Sequence, residues 1–133
     1  MANANKAKGT SWETTVKDYL QSVGLMPKRT GSAEADQGDI HAGSWTFECK
    51  AEARIDLPGY LAQLAAAVTR RPAGPPYKSA VWVKNRRHGV KDAYVVMSGE
   101  NYRSLMVYVE SQQTMLREMT AAFLAYETAA QDA

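Results

Sequence analysis

The sequence predicts an α/β domain in which a mixed β-sheet is flanked by helices, with elements in the order αβββαββα. Two observations predict it. Apolar residues recur at helical spacing in three separate stretches, and between these stretches lie short runs rich in Trp, Phe, Val and Tyr, bounded by Gly or Pro. Strand patterns interleaved with helical ones are what a helix-covered sheet requires. At 133 residues the chain is expected to form a single domain over 1–133, with residues 1–8 and 129–133 as flexible ends.

The first helix is expected to start near Thr10 or Ser11, with Trp12, Val16, Tyr19, Leu20 and Val23 on one face and Gly24 as its stop. Met26–Arg29 reads as a short strand, followed by a polar loop from Thr30 to Gln37. Gly38–Ala42 and Trp45–Lys50 read as two strands joined by the hairpin turn Gly43-Ser44. Along the second of these, Trp45, Phe47 and Cys49 point to one face, and Thr46, Glu48 and Lys50 to the other. Leu57, Tyr60, Leu61, Leu64 and Val68 mark a second helix that runs into the rigid loop 72–76. Ala80–Val83 and Ala93–Met97 are two further strands, linked by the basic segment 85–91. From Gly99 onward the reading is helical, and Met115, Met119, Phe123 and Tyr126 form an apolar stripe that suits a core or a dimer surface.

Charge is distributed unevenly. Residues 1–99 carry fourteen basic and nine acidic groups, whereas residues 100–133 carry two basic and five acidic. The basic groups cluster at Lys6/Lys8, Lys28/Arg29, Arg70/Arg71 and Lys84/Arg86/Arg87/Lys91, which points to a polyanion partner for the first two thirds or else to solvated loop charge. No apolar run approaches the ~20 residues of a membrane span, and the polar N-terminus resembles no signal peptide. The lone cysteine, Cys49, excludes an internal disulfide and fits a reducing cytosol.

One strand carries chemistry. Residues i and i+2 share a face, so Glu48 and Lys50 stand side by side, and Asp39 on the preceding strand can face the same way with its neighbour His41. Clustered carboxylate oxygens hold hard divalent cations, and an adjacent ammonium offsets charge on an attacked phosphate. His41 and His88 have no second metal-type partner at useful spacing, so neither reads as a zinc ligand. Cys49 alternates with the charged pair, so its thiol is expected in the core, as is Tyr60.

Lys8-Gly9 and Glu13 on the first helix, Arg29, Ser32, Gly38-Asp39, Glu48-Cys49-Lys50, and Tyr60 with Gln63 on the second helix together resemble the PD-(D/E)XK nucleases. Within them they resemble the archaeal and phage Holliday junction resolvases, over residues 8–64. Gln37-Gly38 stands where the superfamily motif has Pro before the Asp, a residue the resolvase branch itself often lacks. The resemblance implies a restriction-endonuclease-like fold and a Mg2+-dependent endonuclease, with Mn2+ as a substitute, that cuts four-way or other branched DNA to 5′-phosphate products. It implies metal ligation by Asp39, Glu48 and the Cys49 backbone carbonyl, with Glu13 joining directly or through water. Lys50 would orient or activate the attacking water, Ser32 would lie near the scissile phosphate, and Gln63 near the active site. Lys6, Lys8, Arg29, Arg86 and Arg87 are the expected DNA contacts. A homodimer in the cytoplasm of a prokaryotic or phage-infected cell completes the expectation.

Other readings of the same residues stand beside these. Thr10-Ser11-Trp12-Glu13 also fits a capping box, with Glu13 closing the helix start. Ser32 also reads as a turn serine, Arg29 as strand-edge charge and Gln63 as a solvated helix position. An endonuclease on linear duplex, or a catalytically inert nucleic-acid-binding domain, would use the same fold.

Overall fold

A computed structural model describes residues 4–30 and 37–132, and for residues 4–8 and 10 the backbone alone. The described elements are α1 (Ala4–Ser22), β1 (Pro27–Arg29), β2 (Ile40–Ala42), β3 (Trp45–Lys50), α2 (Leu57–Arg70), β4 (Ser79–Val83), a 3-10 turn at Val90–Asp92, β5 (Tyr94–Val96) and α3 (Gly99–Gln131). The strands form one five-stranded sheet in the order β1-β2-β3-β4-β5. Neighbours are antiparallel except β3 and β4, which run parallel. A parallel neighbour demands a crossover, and α2 supplies it.

β3 is the central strand, and the period-two alternation of its side chains sorts the core into two layers. Phe47 and Cys49 face α1, where Trp12, Val16 and Leu20 close over Ile40, Ala42 and Ala80. On the opposite face Tyr60 and Leu64 of α2 close over Val81 and Val83. Two polar links tie the layers together. Trp12 Nε1 donates to Trp82 O at 3.0 Å across the α1 face. Arg71, just past α2, donates to Trp45 O at 3.1 Å, Thr46 Oγ1 at 3.0 Å and Gly43 O at 2.8 Å, holding the end of the helix on the β2–β3 turn.

β1, β4 and β5 differ from expectation by one residue at one end or both, and three other elements differ in ways that bear on the site or the tail. α1 begins at Ala4 rather than at Thr10 or Ser11, because the alanines and lysines of the preceding segment are good helix formers with no proline among them. Thr10 and Glu13 therefore lie inside the helix, and the capping-box reading of Glu13 does not hold. β2 starts at Ile40, one residue after Asp39. Helix α3 continues through Gln131, across part of the segment expected as a tail.

The entry to β2 is built around Gly38. Its φ is +96°, and a Cβ there would stand 2.7 Å from Thr46 Cγ2 and 3.3 Å from Phe47 O. Asp39 then donates its N–H to Phe47 O at 2.8 Å, although Phe47 is already paired with Ile40. Two residues thus oppose one, the arrangement of a β-bulge, which re-aims a side chain. Gly38→Ala is expected to lower stability by about 2 kcal/mol or more, from the left-handed backbone and the contact with buried Thr46. Gly24→Ala, at φ +88° with no atom within 4 Å of its Cβ, carries the backbone cost alone. Urea unfolding of both variants should rank Gly38→Ala as clearly the more destabilised.

Candidate active site

The strand alternation that buries Phe47 and Cys49 under α1 sends Glu48 and Lys50 toward α2. Glu48 is only 2% exposed. The bulge at Gly38-Asp39 places the Asp39 carboxylate against β3, where Oδ2 accepts the Cys49 N–H at 2.8 Å. That side chain takes a backbone donor of β3 where β2 has ended. The N–H and C=O of a strand residue point the same way, so the Cys49 carbonyl is turned toward the Asp39 side of the strand.

The two carboxyl groups meet. Burial, then the Asp39 charge and a hydrogen bond with Asp39, push the Glu48 carboxyl up to about 8 against an opposing pull from Lys50. Glu48 therefore keeps its proton near neutral pH, because ionising it would place a buried negative charge beside Asp39. Lys50 stands at the open end of the strand. Its Nζ donates to Gln63 Oε1 at 2.6 Å and lies 5.4 Å from the centre of the Tyr60 ring. Tyr60 is fixed in turn, its hydroxyl donating to Glu52 Oε2 at 2.7 Å.

Glu13 reaches the same neighbourhood from α1. Burial and then the Asp39 charge raise its carboxyl, while Arg29 and Lys50 lower it. Arg29 Nη2 donates to Glu13 Oε2 at 2.9 Å and Nη1 to Thr14 Oγ1 at 3.1 Å. Arg29 thus fastens β1 to α1, a task that its expected role as a DNA contact did not foresee. Burial raises the Cys49 thiol well above its ordinary range, so it packs as a small apolar group.

Four residues singled out from the sequence, Asp39, Glu48, Lys50 and Gln63, come together here, with Glu13 and the Cys49 backbone at the margin. Arg86 and Arg87 are exposed on the loop after β4 and line a cleft of about 300 Å3 with Ala51, Glu52 and Lys84. This cleft opens directly beyond Lys50 in the chain. Ser32 lies outside the described residues, as do the side chains of Lys6 and Lys8. Glu52 escaped the sequence reading although it continues the Glu48-x-Lys50-x-Glu52 alternation, because the strand pattern stops at Lys50. Arg71 read from the sequence only as part of a basic cluster, and its clasp on the β2–β3 turn had no local signal because its partners are distant in the chain.

Among the described residues no three His, Cys, Asp or Glu side chains form a ready metal cage. Asp39 and Glu48 meet, while Glu13 gives an oxygen to Arg29. The donors at the meeting point are all oxygen, and their mutual repulsion is what a hard divalent cation relieves. The set suits Mg2+ or Mn2+ rather than a thiolate or imidazole metal. No family model, curated protein or solved structure matches this chain.

Glu48 holds its proton more tightly in the folded chain than in the unfolded one. The stability this contributes is complete below the ordinary carboxylate range and is lost as pH rises toward about 8. In the absence of divalent cation, the melting temperature should therefore fall over that window. Glu48→Gln should flatten the fall. Thermal melts of both proteins across the same buffers decide it, and parallel slopes would show that Glu48 does not hold the proton.

Proposed function

We propose that the chain is a metal-dependent endonuclease of the PD-(D/E)XK kind, acting in the cytoplasm on branched DNA such as four-way junctions. The observation that carries this reading is the contact of the Asp39 and Glu48 carboxyl groups beside Lys50 on the central strand. A protein that only bound nucleic acid would gain nothing from two carboxyl groups placed next to phosphate.

Asp39, Glu48 and the Cys49 carbonyl would hold the cation, with Glu13 contributing from the side that Arg29 fixes. When bound, Mg2+ or Mn2+ supplies charge neutralisation at the phosphoryl oxygens and lowers the pKa of water. The protein's own residues then have defined tasks. Lys50, held by Gln63, directs an ammonium at the attacking water and at the charge that develops on phosphorus. The water oxygen bonds to phosphorus as the bond to the 3′ oxygen breaks, leaving a 5′-phosphate and a 3′-hydroxyl that takes up a proton. Lys84, Arg86 and Arg87 border the cleft beyond Lys50 and would follow the phosphate backbone, which positions a duplex without reading its bases.

Asp39→Asn or Glu48→Gln is expected to abolish cleavage of a four-way junction in Mg2+ while leaving DNA binding intact. Lys50→Ala should slow single-turnover cleavage by ~10²–10³-fold with little change in metal affinity, because an ammonium is not a ligand. Running the junction beside its linear arms tests the substrate class. Near wild-type cutting by Asp39→Asn or Glu48→Gln would refute the site, and equal cutting of junction and arms would refute branch selectivity.

Recognition by the cleft is tested separately. The double substitution Arg86→Ala/Arg87→Ala should weaken junction binding and make its salt dependence shallower, each lost phosphate contact reducing the log–log slope by ~0.9. The rate on fully bound substrate should change little. Titrations at several salt concentrations that return identical slopes would move the contact elsewhere, to Lys6, Lys8 and Arg29.

A further inference from the structure

Helix α3 is a rod of 33 residues, about 50 Å long at 1.5 Å per residue. Among the described residues its first three turns carry the contacts with the body of the domain, where Tyr108 meets the Tyr77 ring at 5.6 Å and Lys78 Nζ lies 5.3 Å from the Tyr108 ring centre. From Ser111 to Asp132 every residue is exposed. Yet this stretch is not polar. Met115 is 50% exposed, Leu116 64%, Met119 62%, Phe123 60% and Tyr126 72%. An isolated helix is marginal in water without a partner for its apolar face, and an apolar surface this large marks an interaction site.

The spacing of these residues says what covers them. Val109, Leu116 and Phe123 recur every seven residues, and Gln112, Met119 and Tyr126 recur every seven, three residues later. That is a coiled-coil seam. Glu110, Arg117 and Glu118 fall at outward positions of the same heptad, where Leu124 is the one large apolar residue between Val109 and Tyr126. One polar residue, Gln112, interrupts the seam. In a parallel, in-register pair it faces its own copy, and two side-chain amides satisfy each other. In an antiparallel pair that matches Leu116 to Met119, it faces Phe123 and its amide has no partner. A single polar layer of this type sets register and orientation. At roughly 200 Å2 for a large side chain, the exposed parts of Met115, Leu116, Met119, Phe123 and Tyr126 amount to on the order of 600 Å2. That is close to the ~800 Å2 per partner of a standard interface.

We propose that α3 pairs with α3 of a second copy of this chain as a parallel coiled coil joined along Val109–Tyr126. The pairing places both sheet domains at the same end of the rod. It rests on α3 alone and stands whether or not the chain is a nuclease.

The test is the solution mass of the full chain, by light scattering and sedimentation at micromolar concentration, with two variants. Wild type is expected at twice the chain mass. Leu116→Asp/Phe123→Asp is expected at the monomer mass, with the near-ultraviolet signal of the body unchanged, since Trp12, Trp45 and Trp82 lie outside α3. Under mild oxidation Tyr126→Cys should be captured as a disulfide-linked dimer, whereas Glu118→Cys on the outer face should not. Wild type, whose own thiol at Cys49 is buried, is the control. A monomeric wild type would overturn the proposal, as would a dimer that survives the double aspartate substitution. A dimer that Tyr126→Cys fails to link would overturn the parallel register.

Discussion

Glu48 is an acid on the central strand β3, which helices cover from both sides, and much else in the domain is arranged around that. Burying a charge costs several kcal/mol unless it is neutralised or paired. Here the cost is met by protonation: burial and the neighbouring Asp39 charge keep the Glu48 carboxyl neutral to about pH 8, with Lys50 at the mouth as the opposing cation. A chain selected only for stability would place an aliphatic residue at this position, as it does at Val81, the partner of Glu48 across the β3–β4 ladder. The buried acid is a departure from local optimisation, and such departures collect at functional sites.

The supports around the pair explain how it is kept in place. Gly38 alone allows the close approach of the β2 entry to Thr46, and the bulge that follows turns Asp39 onto β3. Asp39 then does two things at once: one oxygen accepts the Cys49 N–H, and its charge raises Glu48. On the other side, Gln63 and the Tyr60 ring confine the Lys50 ammonium, and Glu52 confines Tyr60. Each catalytic candidate is therefore oriented by a neighbour on a different element. The geometry belongs to the sheet and both of its covering helices together.

Helix α3 follows another logic. The body of the domain leaves its far half unused, and the charge imbalance between the two parts of the chain matches this division. The basic clusters lie before residue 100, around the sheet and its cleft, while the net-acidic remainder is helix. A polyanion drawn to the first part would be repelled by the second. Under the two proposals above, phosphate and self-association would use separate surfaces, which avoids conflict between them.

Period-two alternation in Trp45–Lys50 was enough to place Glu48 and Lys50 on one face, because side-chain direction along a strand is a property of the backbone and needs no partner. Helical spacing located α1, α2 and α3 for the same reason, although α1 starts earlier than expected, where Ala and Lys extend the helix past a Thr that resembles a cap. Tertiary structure decided the rest. That β3 is central and Glu48 buried depends on the parallel pairing with β4, which no local pattern encodes. That Glu13 is held by Arg29 rather than capping its own helix depends on β1 lying beside α1. That Arg71 clasps the β2–β3 turn depends on where α2 ends over the sheet. Contacts between residues far apart in the chain are set by packing, and packing is the one quantity that a run of neighbouring residues does not contain.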